Sequence, residues 1–225
     1  MFYEPDKNNH GLPFNPFKSI CVPRPIGWVS TVSSDGIVNL APYSQYQNLS
    51  YDPPYVMFSG GGGGGGTHGR KDSVKNATDT GEFVINMATW ELRDEINTTS
   101  QSVEPDVDEA LLAGLEMLPS TIVKPPRVAR SPVHMECRLQ TVVTLPGRTP
   151  EQVHHVVMGR VVGIHIRDDV LTKDGRLDVL KIRPLARMGY HDYTSVTDVF
   201  TMTPTGPGLE ERLAGLEGRP LVKNK

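Results

Sequence analysis

The sequence feature that most restricts the fold is a pair of long stretches in which apolar and polar residues alternate. Within residues 133–145 one set of alternate positions is largely apolar: Val133, Met135, Cys137, Leu139, Thr141, Val143 and Leu145. The positions between them begin with His134, Glu136, Arg138 and Gln140. A period of two predicts a half-buried antiparallel strand. Val153–Ile166 alternates over a similar length, so the two stretches predict a long hairpin.

Shorter hairpin signals surround this pair. Asp35-Gly36 separates two β-rich runs, and glycine readily takes the positive φ that a tight hairpin turn requires. Further strand-like runs are Tyr55–Ser59, Glu82–Ala88, and the pair Val170-Leu171 and Leu177–Leu180 around the turn TKDGR. With seven or eight strands and no alternation of strands and helices, the pattern predicts a mainly β fold. A closed antiparallel barrel removes the exposed edges of so many strands.

A few short helices are predicted among the strands. The first begins at Asp72 or Ser73, either of which can cap it, and ends before Gly81. Two others are expected at Trp90–Thr99 and Val107–Ala113, followed by a proline-rich crossing segment at 118–132. The chain has 22 glycines and 19 prolines in 225 residues, which argues against a long helical bundle because both residues interrupt helices.

Charge and apolar patterning exclude several classes of partner. The formal net charge is −3, so we expect neither nucleic acid nor an anionic membrane surface as a partner. No apolar stretch approaches the roughly 20 residues that span a bilayer. The polar start does not resemble a signal peptide, and Cys21 and Cys137 show no CxxC spacing, so a cytoplasmic protein with reduced thiols is expected.

The segment Gly69-Arg70-Lys71-Asp72-Ser73 is a candidate anion site. A helix N-terminus offers backbone N–H groups and the positive end of the helix dipole. Arg70 and Lys71 add two cations there, and Ser73 adds a hydroxyl donor, which suits a phosphate. The alternative is an ordinary capped surface helix with solvated charges.

Two further segments combine polar and aromatic residues. Residues 41–48 read APYSQYQN, whose short polar side chains beside aromatics can serve a flat ring with polar edges. Residues 23–31 read PRPIGWVST, where Ser30 and Thr31 place hydroxyls midway along a strand. The alternatives are a polar loop that closes a barrel end, and a strand entry with a core tryptophan at Trp28.

Together these segments resemble the flavin reductase-like family of FMN-binding split barrels, which includes reductase components of two-component monooxygenases and flavoredoxin-like proteins. The matching pieces are PRPIGWVSTVSSDGIVNLAPYS, YDPPYVMFS, GRKDSVKNATDTGEFVINMA and PRVARSPVHMECRL, which occur in this order. The resemblance covers about residues 10–195 and implies an antiparallel split β-barrel. The family domain is expected at residues 1–200. The segment from Thr203 is low in bulky residues, so a tail that packs on a partner or stays mobile is expected at 201–225.

The resemblance also implies a cofactor site. The protein would bind FMN noncovalently near the interface of a homodimer, and Arg70, Lys71, Asp72 and Ser73 would surround the phosphate. Ser30 and Thr31 would lie along the ribityl chain or ring, and either Tyr190 or Tyr193 could cover the flavin. The residues that would line the isoalloxazine are Tyr43, Ser44, Gln45 and Asn48, and Trp28 and Ser59 complete the expected cofactor-binding set. This sequence is more polar than the family at residues 45–47.

The function that follows is that of an oxidoreductase with NADH or NADPH as electron donor. It would pass a hydride from the nicotinamide to FMN, with no catalytic side chain required because the cofactor carries the chemistry. Reduced flavin would serve a monooxygenase component or a small acceptor. The alternatives are a flavoredoxin-like electron-transfer protein without its own nicotinamide oxidation, and a barrel that has lost its cofactor and serves as a dimeric scaffold.

Two remaining features carry weaker signals. His154 and His155 are adjacent and face opposite sides of a strand, so together with His134 and His165 they favour hydrogen-bonded or exposed histidines over a metal site. Gly60–Gly66 are seven consecutive glycines that follow the strand ending at Ser59. We expect this run to form a mobile loop beside the phosphate that becomes ordered with FMN.

Overall fold

The computed structural model describes residues 1–61, 70–149 and 152–218. Within these ranges the strands are β1 (Arg24–Pro25), β2 (Gly27–Val32), β3 (Val38–Tyr43), β4 (Tyr46–Tyr51), β5 (Pro54–Gly61), β6 (Glu82–Met87), β7 (Met117–Leu118), β8 (Arg127–Val128), β9 (Val133–Leu145), β10 (His154–Ile166), β11 (Leu185–Gly189) and β12 (Asp192–Ser195). The α-helices are α1 (Asp72–Thr80), α2 (Arg93–Thr98), α3 (Glu109–Leu112), α4 (Val179–Ile182) and α5 (Leu209–Glu217). Short 3-10 turns occur at Pro16–Ser19, Trp90–Leu92 and Asp168–Val170.

Seven strands form one antiparallel sheet in the order β3-β2-β6-β9-β10-β5-β4. β9 and β10 are thirteen residues each and pair along most of their length, as the alternating pattern predicts. The two edge strands, β3 and β4, are consecutive in the chain and only Ser44 and Gln45 separate them. The sheet therefore curls back on itself and brings both edges together, which confirms a mainly β, antiparallel split barrel.

Apolar side chains from the strands and from helix α1 fill the interior of the barrel. Val29, Phe58, Phe83 and Val157 are fully buried and come from four different strands. Helix α1 contributes Val74 and Ala77 to the same core. Burial of each large apolar side chain contributes about 1.5–3 kcal/mol. The apolar side chains of α1 therefore hold the start of this helix against the barrel end.

A second core lies on the outer face of β2 and β3. Trp28 and Leu40 are completely buried there against Leu92, Ile96 of α2 and Ala110 of α3. Side chains of β2 therefore alternate between the two cores, since Trp28 points out of the barrel and Val29 points into it. This arrangement fixes α2 and α3 beside β3.

The proline-rich crossing segment is held by polar side chains on the outer face of the sheet. Glu136 accepts hydrogen bonds from the backbone N–H groups of Thr121, Ile122 and Val123 at 2.6–3.0 Å. Further contacts to the segment come from Ser30, Glu82, Asn86 and His134. His134 and Glu136 are consequently buried, although the alternating pattern marks their face of β9 as the polar one. Sequence periodicity shows that this face is polar, but not that another segment covers it.

Other elements differ from the sequence prediction. Residues 46–51 form the edge strand β4, where a polar loop is predicted. Leu171 and Leu177 make an isolated bridge, and Val179–Ile182 is helix α4 because the Asp178 carboxylate accepts the N–H of Lys181. Lys71, without a side-chain capping bond, occupies the N-cap position of α1 in place of Asp72 or Ser73. The C-terminal end is as predicted, with Gly81 at a φ of 76°.

A small sheet, β1-β11-β12, closes the end of the fold next to the chain start. The Ser19 hydroxyl donates to the carbonyl of Met188 at 2.7 Å. The ring of Phe14 packs against Tyr190, with ring centres 5.6 Å apart. The first twenty residues are therefore attached to the β11–β12 turn.

Candidate functional site

Two neighbouring cavities lie along β3 and share Pro42 and Ser100. The first cavity, of about 100 Å³, lies between the start of α1 and residues 99–103. The second cavity, of about 470 Å³, lies between Ser44 and the β11–β12 hairpin. Small-molecule sites occupy about 300–1,000 Å³. The two adjacent cavities, together called the cleft, have room for an elongated ligand.

The start of α1 lines the first cavity with Lys71, Asp72 and Ser73. The first N–H groups of a helix have no partner within the helix, and the first bond of α1 runs from Lys75 to the Lys71 carbonyl. An anion at this position would meet a lysine cation and these N–H groups, although the carboxylates of Asp72 and Glu109, which line the same cavity, oppose it. Anion binding is therefore the chemistry that this end of the cleft supports.

A glycine allows β5 and α1 to approach closely at this cavity. A Cβ atom at Gly60 would lie 3.0 Å from Val74, 3.1 Å from the Tyr43 ring and 3.6 Å from Lys71. The first glycine of the run thus has a packing role beside the cavity. Residues 62–66 of the run lie outside the described part of the chain.

A buried polar network lies beneath the first cavity. The Asn39 amide donates from Nδ2 to Glu109 at 2.6 Å and accepts at Oδ1 from the Ser73 hydroxyl at 2.5 Å. The other carboxylate oxygen of Glu109 accepts from the backbone N–H of Leu40 at 3.0 Å. Thr31 and Asn76 extend the network into the barrel. Burial is the main cause that raises the pKa of Glu109, partly offset by the Leu40 bond.

Tyr43 connects the network to the barrel core. Its ring packs against Phe58, with centres 4.9 Å apart, and its side chain lines the first cavity. Burial raises the pKa of Tyr43 strongly, so the phenol stays protonated at neutral pH. Tyr43 is thus available as a neutral hydroxyl group near Ser73.

The second cavity combines hydroxyl, amide, aromatic and cationic groups. Its lining includes Ser44, Asn97, Arg187, His191 and Tyr193. The Arg187 guanidinium lies 4.5 Å from the centre of the Tyr193 ring and also hydrogen-bonds to the Tyr193 hydroxyl. Such a lining suits a flat ring with polar edges.

The predicted site residues fall into two groups. Tyr43, Ser44, Lys71, Asp72 and Ser73 line the cleft. Those that do not line it are Trp28, Ser30, Thr31, Gln45, Asn48, Ser59, Arg70 and Tyr190. The second group is placed as follows.

Three residues of the second group lie on β2 and are buried. Ser30 donates to the carbonyl of Pro126 at 2.5 Å, and Thr31 donates to Asn39 at 3.3 Å. Trp28 donates from Nε1 to the hydroxyl of Thr99 at 2.9 Å. Ser30 thus anchors the crossing segment, while Trp28 and Thr31 support residues that line the first cavity.

The remaining residues lie on or next to β4, β5, α1 and β11. The Gln45 carbonyl accepts the N–H of Ser59 at 2.8 Å, and Asn48 is exposed on β4. Arg70 is exposed immediately before α1. Tyr190 has a φ of 46° and its carbonyl accepts a bond from Arg187, so Tyr193 is the tyrosine that lines the second cavity.

Sequence reasoning missed Asn39, Glu109, Thr99 and Arg187. Asn39 and Glu109 are 70 residues apart, and only the fold brings them together. The clustered acids Glu104, Asp106, Asp108 and Glu109 are typical of a solvated helix start, and Asp108 does cap α3. A sequence signal exists for Asn39 alone, as a polar residue within a β-rich run.

Two of the four strand histidines make hydrogen bonds on the outer face of the sheet. His134 Nε2 lies 2.8 Å from the carbonyl of Val128, and His165 Nε2 lies 2.5 Å from Glu136. Among the described residues no group of three or more His, Cys, Asp or Glu side chains could hold a metal ion. Across the same ranges, none of the helices is both long and apolar enough to traverse a bilayer.

Comparison with known proteins identifies a family and a relative that each match most of the chain. The family described as "Flavin reductase like domain" matches residues 19–192. An uncharacterized protein of Aquifex aeolicus (strain VF5) is 38% identical over 170 residues, which is 76% of this chain and 83% of that protein.

Solved structures share the fold over nearly the whole chain. Nitrilotriacetate monooxygenase component B from Bacillus cereus superimposes with a TM-score of 0.82 at 27% identity, covering 90% of this chain and 98% of that one. A putative flavin reductase with a split barrel domain from Shewanella frigidimarina NCIMB 400 gives 0.75 at 20% identity, covering 92% and 100%. The second likeness concerns the fold alone.

Proposed function

The chain belongs to the flavin reductase-like family, and from this premise we propose that it binds FMN noncovalently and acts as an NAD(P)H-dependent flavin oxidoreductase. One observation supports the proposal above the others. Lys71 and the N–H groups at the start of α1 lie at one end of the cleft, and this cavity adjoins a larger cavity lined by polar and aromatic groups, with which it shares Pro42 and Ser100. FMN has the matching shape, a phosphate at one end and a flat polar ring at the other.

The donor set of the first cavity fits a phosphate. Lys71 and the N–H groups at the start of α1 would hold it, while Tyr43 closes the barrel side. Arg70, just outside the cavity, adds positive charge. Charge-assisted hydrogen bonds contribute about 1.5–3 kcal/mol each, more than the 0.3–1 kcal/mol of a helix dipole. Lys71 is therefore expected to contribute more to phosphate affinity than the dipole of α1.

The second cavity would hold the ring. Ser44 and Asn97 offer polar groups for its edge, and Tyr193 offers an aromatic surface. When bound, FMN supplies the capacity to accept and pass on a hydride. The chain's own residues bind and orient the ring and limit access of water. No side-chain acid or base is assigned to the reaction.

A second component is supported by the likeness to the monooxygenase component B named above, at 27% identity. We propose that reduced flavin passes to an oxygenase partner or to a small acceptor. A homodimer, a cytoplasmic location and a domain at residues 1–200 with a tail at 201–225 also belong to this proposal. Cys21 and Cys137 are both unpaired, which supports a reducing compartment.

Two measurements on the purified protein test the proposal. An absorbance scan with an FMN titration should show flavin bands and saturable binding, and the FMN-loaded protein should oxidise NADH or NADPH faster than free FMN does. Absence of FMN binding would overturn the proposal. Tight FMN without nicotinamide oxidation, but with rapid reduction by a protein donor, would select the electron-transfer alternative.

A further inference from the structure

Glu109 is a buried carboxylate in the wall of the first cavity. Its side chain belongs to α3, yet it reaches across to β3, where it accepts from the Leu40 N–H and from the Asn39 amide. The residue is 4% exposed and lines the same cavity as Lys71 and Ser73. A negative charge thus lies next to the position where a phosphate would bind.

The carboxylate sets the direction of the hydrogen bonds that join Glu109, Asn39 and Ser73. An ionised carboxylate can only accept, so Asn39 must present its Nδ2 to Glu109 and therefore its Oδ1 to Ser73. The Ser73 hydroxyl then has to donate inward, to Asn39. Since its single proton is used in this way, Ser73 has none to offer to an anion in the cavity.

Protonation of Glu109 would reverse the direction of the hydrogen bonds that run from Ser73 through Asn39 to Glu109. A protonated carboxyl can donate to the Asn39 Oδ1 once the amide has turned over, and Nδ2 then faces Ser73. Ser73 accepts from Nδ2, and its hydroxyl proton becomes free to point into the cavity. The Leu40 N–H keeps its acceptor, and Thr31 loses only a long bond of 3.3 Å.

We propose that Glu109 is a positioning residue for anion binding: a phosphate enters the first cavity together with one proton, which Glu109 takes from solvent, and Ser73 thereby becomes a donor to the phosphate. This inference rests on the proposed FMN site and adds to it a linkage between phosphate affinity and pH.

The surrounding charges favour this linkage. Burial is the main cause that raises the pKa of Glu109; backbone hydrogen bonds partly offset it, and the charges of Asp72 and Asp108 add to the increase, which makes proton uptake easier. Lys71 is the cation that lines the same cavity, and Tyr43 is neutral there. A bound phosphate adds one or two negative charges and favours the protonated form further.

Glu109→Gln mimics the protonated state. Its amide oxygen can accept from Leu40 while its amide nitrogen donates to the turned Asn39, so the network stays satisfied and Ser73 faces the cavity. A residue with a purely structural role would lower FMN affinity when replaced. Here we expect Glu109→Gln to raise it, by about tenfold or more at pH 8.

The experiment measures FMN binding by calorimetry between pH 7.5 and 9, where the phosphate of FMN is fully ionised. In Tris and HEPES, whose ionisation enthalpies differ, the wild type should take up protons when it binds FMN, to a limit of one proton per FMN. Its affinity should fall as pH rises, by at most tenfold per pH unit, since each unit lowers the proton concentration tenfold. Riboflavin, which lacks the phosphate, should bind without proton uptake.

Variants complete the test. Glu109→Gln should bind FMN with no proton uptake and no pH dependence over this range. Glu104→Gln removes an exposed acid of the same segment and should behave as the wild type. Wild-type binding of FMN without proton uptake would overturn the role of Glu109 and leave the FMN site standing, and this result holds even where Glu109→Gln does not fold. A wild type that fails to bind FMN at all would overturn the proposed function, and this inference with it.

Discussion

The indole Nε1 of Trp28 donates a 2.9 Å hydrogen bond to the hydroxyl of Thr99, and both residues are completely buried. Trp28 belongs to the core between β2 and α2, whereas Thr99 lines the first cavity at the end of α2. The bond therefore ties one wall of the cleft to the outer core of the barrel.

Trp28→Phe should weaken both stability and cofactor binding. Phenylalanine keeps much of the apolar contact but leaves the Thr99 hydroxyl with fewer partners, so we expect a loss of about 1–3 kcal/mol in the free energy of unfolding. FMN affinity should fall as well, because residues 99–103 are held less firmly. Urea unfolding and FMN titration measure the two effects.

The matched control is Trp90→Phe, at the other tryptophan of the chain. Trp90 is 38% exposed, and the guanidinium groups of Arg93 and Arg183 lie 4.5 and 5.1 Å from the centre of its ring. Its replacement should change stability by only about 0.5 kcal/mol. Equal effects of the two substitutions would show that the bond to Thr99 has no special role.

Lys71→Ala should weaken FMN far more than riboflavin. Only FMN carries the phosphate, and loss of one charge-assisted hydrogen bond corresponds to roughly ten- to hundredfold in affinity. Fluorescence titration with both flavins gives the ratio. Lys75→Ala, one turn further along α1 and paired with Asp79 at 2.7 Å, is the control that should leave both affinities unchanged. An equal loss of affinity for the two flavins would show that the phosphate does not bind at this end of the cleft.

Ser30→Ala tests a residue that the sequence assigns to the cofactor and the structure assigns to the crossing segment. Removal of the hydroxyl leaves the Pro126 carbonyl without its donor, so the free energy of unfolding should fall by about 1 kcal/mol. FMN affinity should stay within about twofold. A large loss of FMN affinity at unchanged stability would show that Ser30 does belong to the cofactor site.

These residues show which features of the structure can be predicted from the sequence. Period-two patterning locates β9 and β10 because each has one apolar face in contact with the core. The run from Arg70 to Ser73 is identified because a helix start with adjacent cations has a local signature. Such signals can be recognised without knowledge of the fold, because they depend only on residues that are close in the sequence.

Contacts between distant segments have no such signature. Ser30 is 96 residues from Pro126, and Asn39 is 70 residues from Glu109. A hydroxyl or amide residue on a strand gives the same sequence pattern whether its side chain faces a ligand, a crossing segment or another side chain. The cleft lining could therefore be predicted only where it is continuous in sequence, and the buried network that supports it could not.

Glu136→Gln should destabilise the crossing segment. Burial alone would raise the pKa of Glu136, yet the hydrogen bonds from His165 and three backbone N–H groups outweigh it and lower that pKa to about 2. The stability that the ionised form contributes is present above pH 4.5 and is lost as pH falls through about 2. At pH 7 the substitution should cost about 2–4 kcal/mol, because the amide nitrogen of glutamine faces donors. Urea midpoints that match the wild type would contradict this account.

His134 gives the protein a second, milder sensitivity to acid. Burial, followed by the nearby Arg127 and His165 charges, lowers the pKa of His134 from 6.5 to about 4. Between these values the unfolded chain binds a proton that the folded chain does not, so stability should fall as pH drops from 6.5 to 4. The slope has an upper limit of about 1.4 kcal/mol per pH unit.

His134→Gln removes this titration and keeps a side-chain N–H that can reach the Val128 carbonyl. Urea unfolding at pH 6.5, 5.5 and 4.5 should then show a flatter profile than the wild type, with a residual slope from His155, whose pKa burial also lowers. His191→Gln, at an exposed position, should keep the wild-type slope. If His134→Gln also keeps it, then His134 is not the group that makes the folded chain sensitive to mild acid.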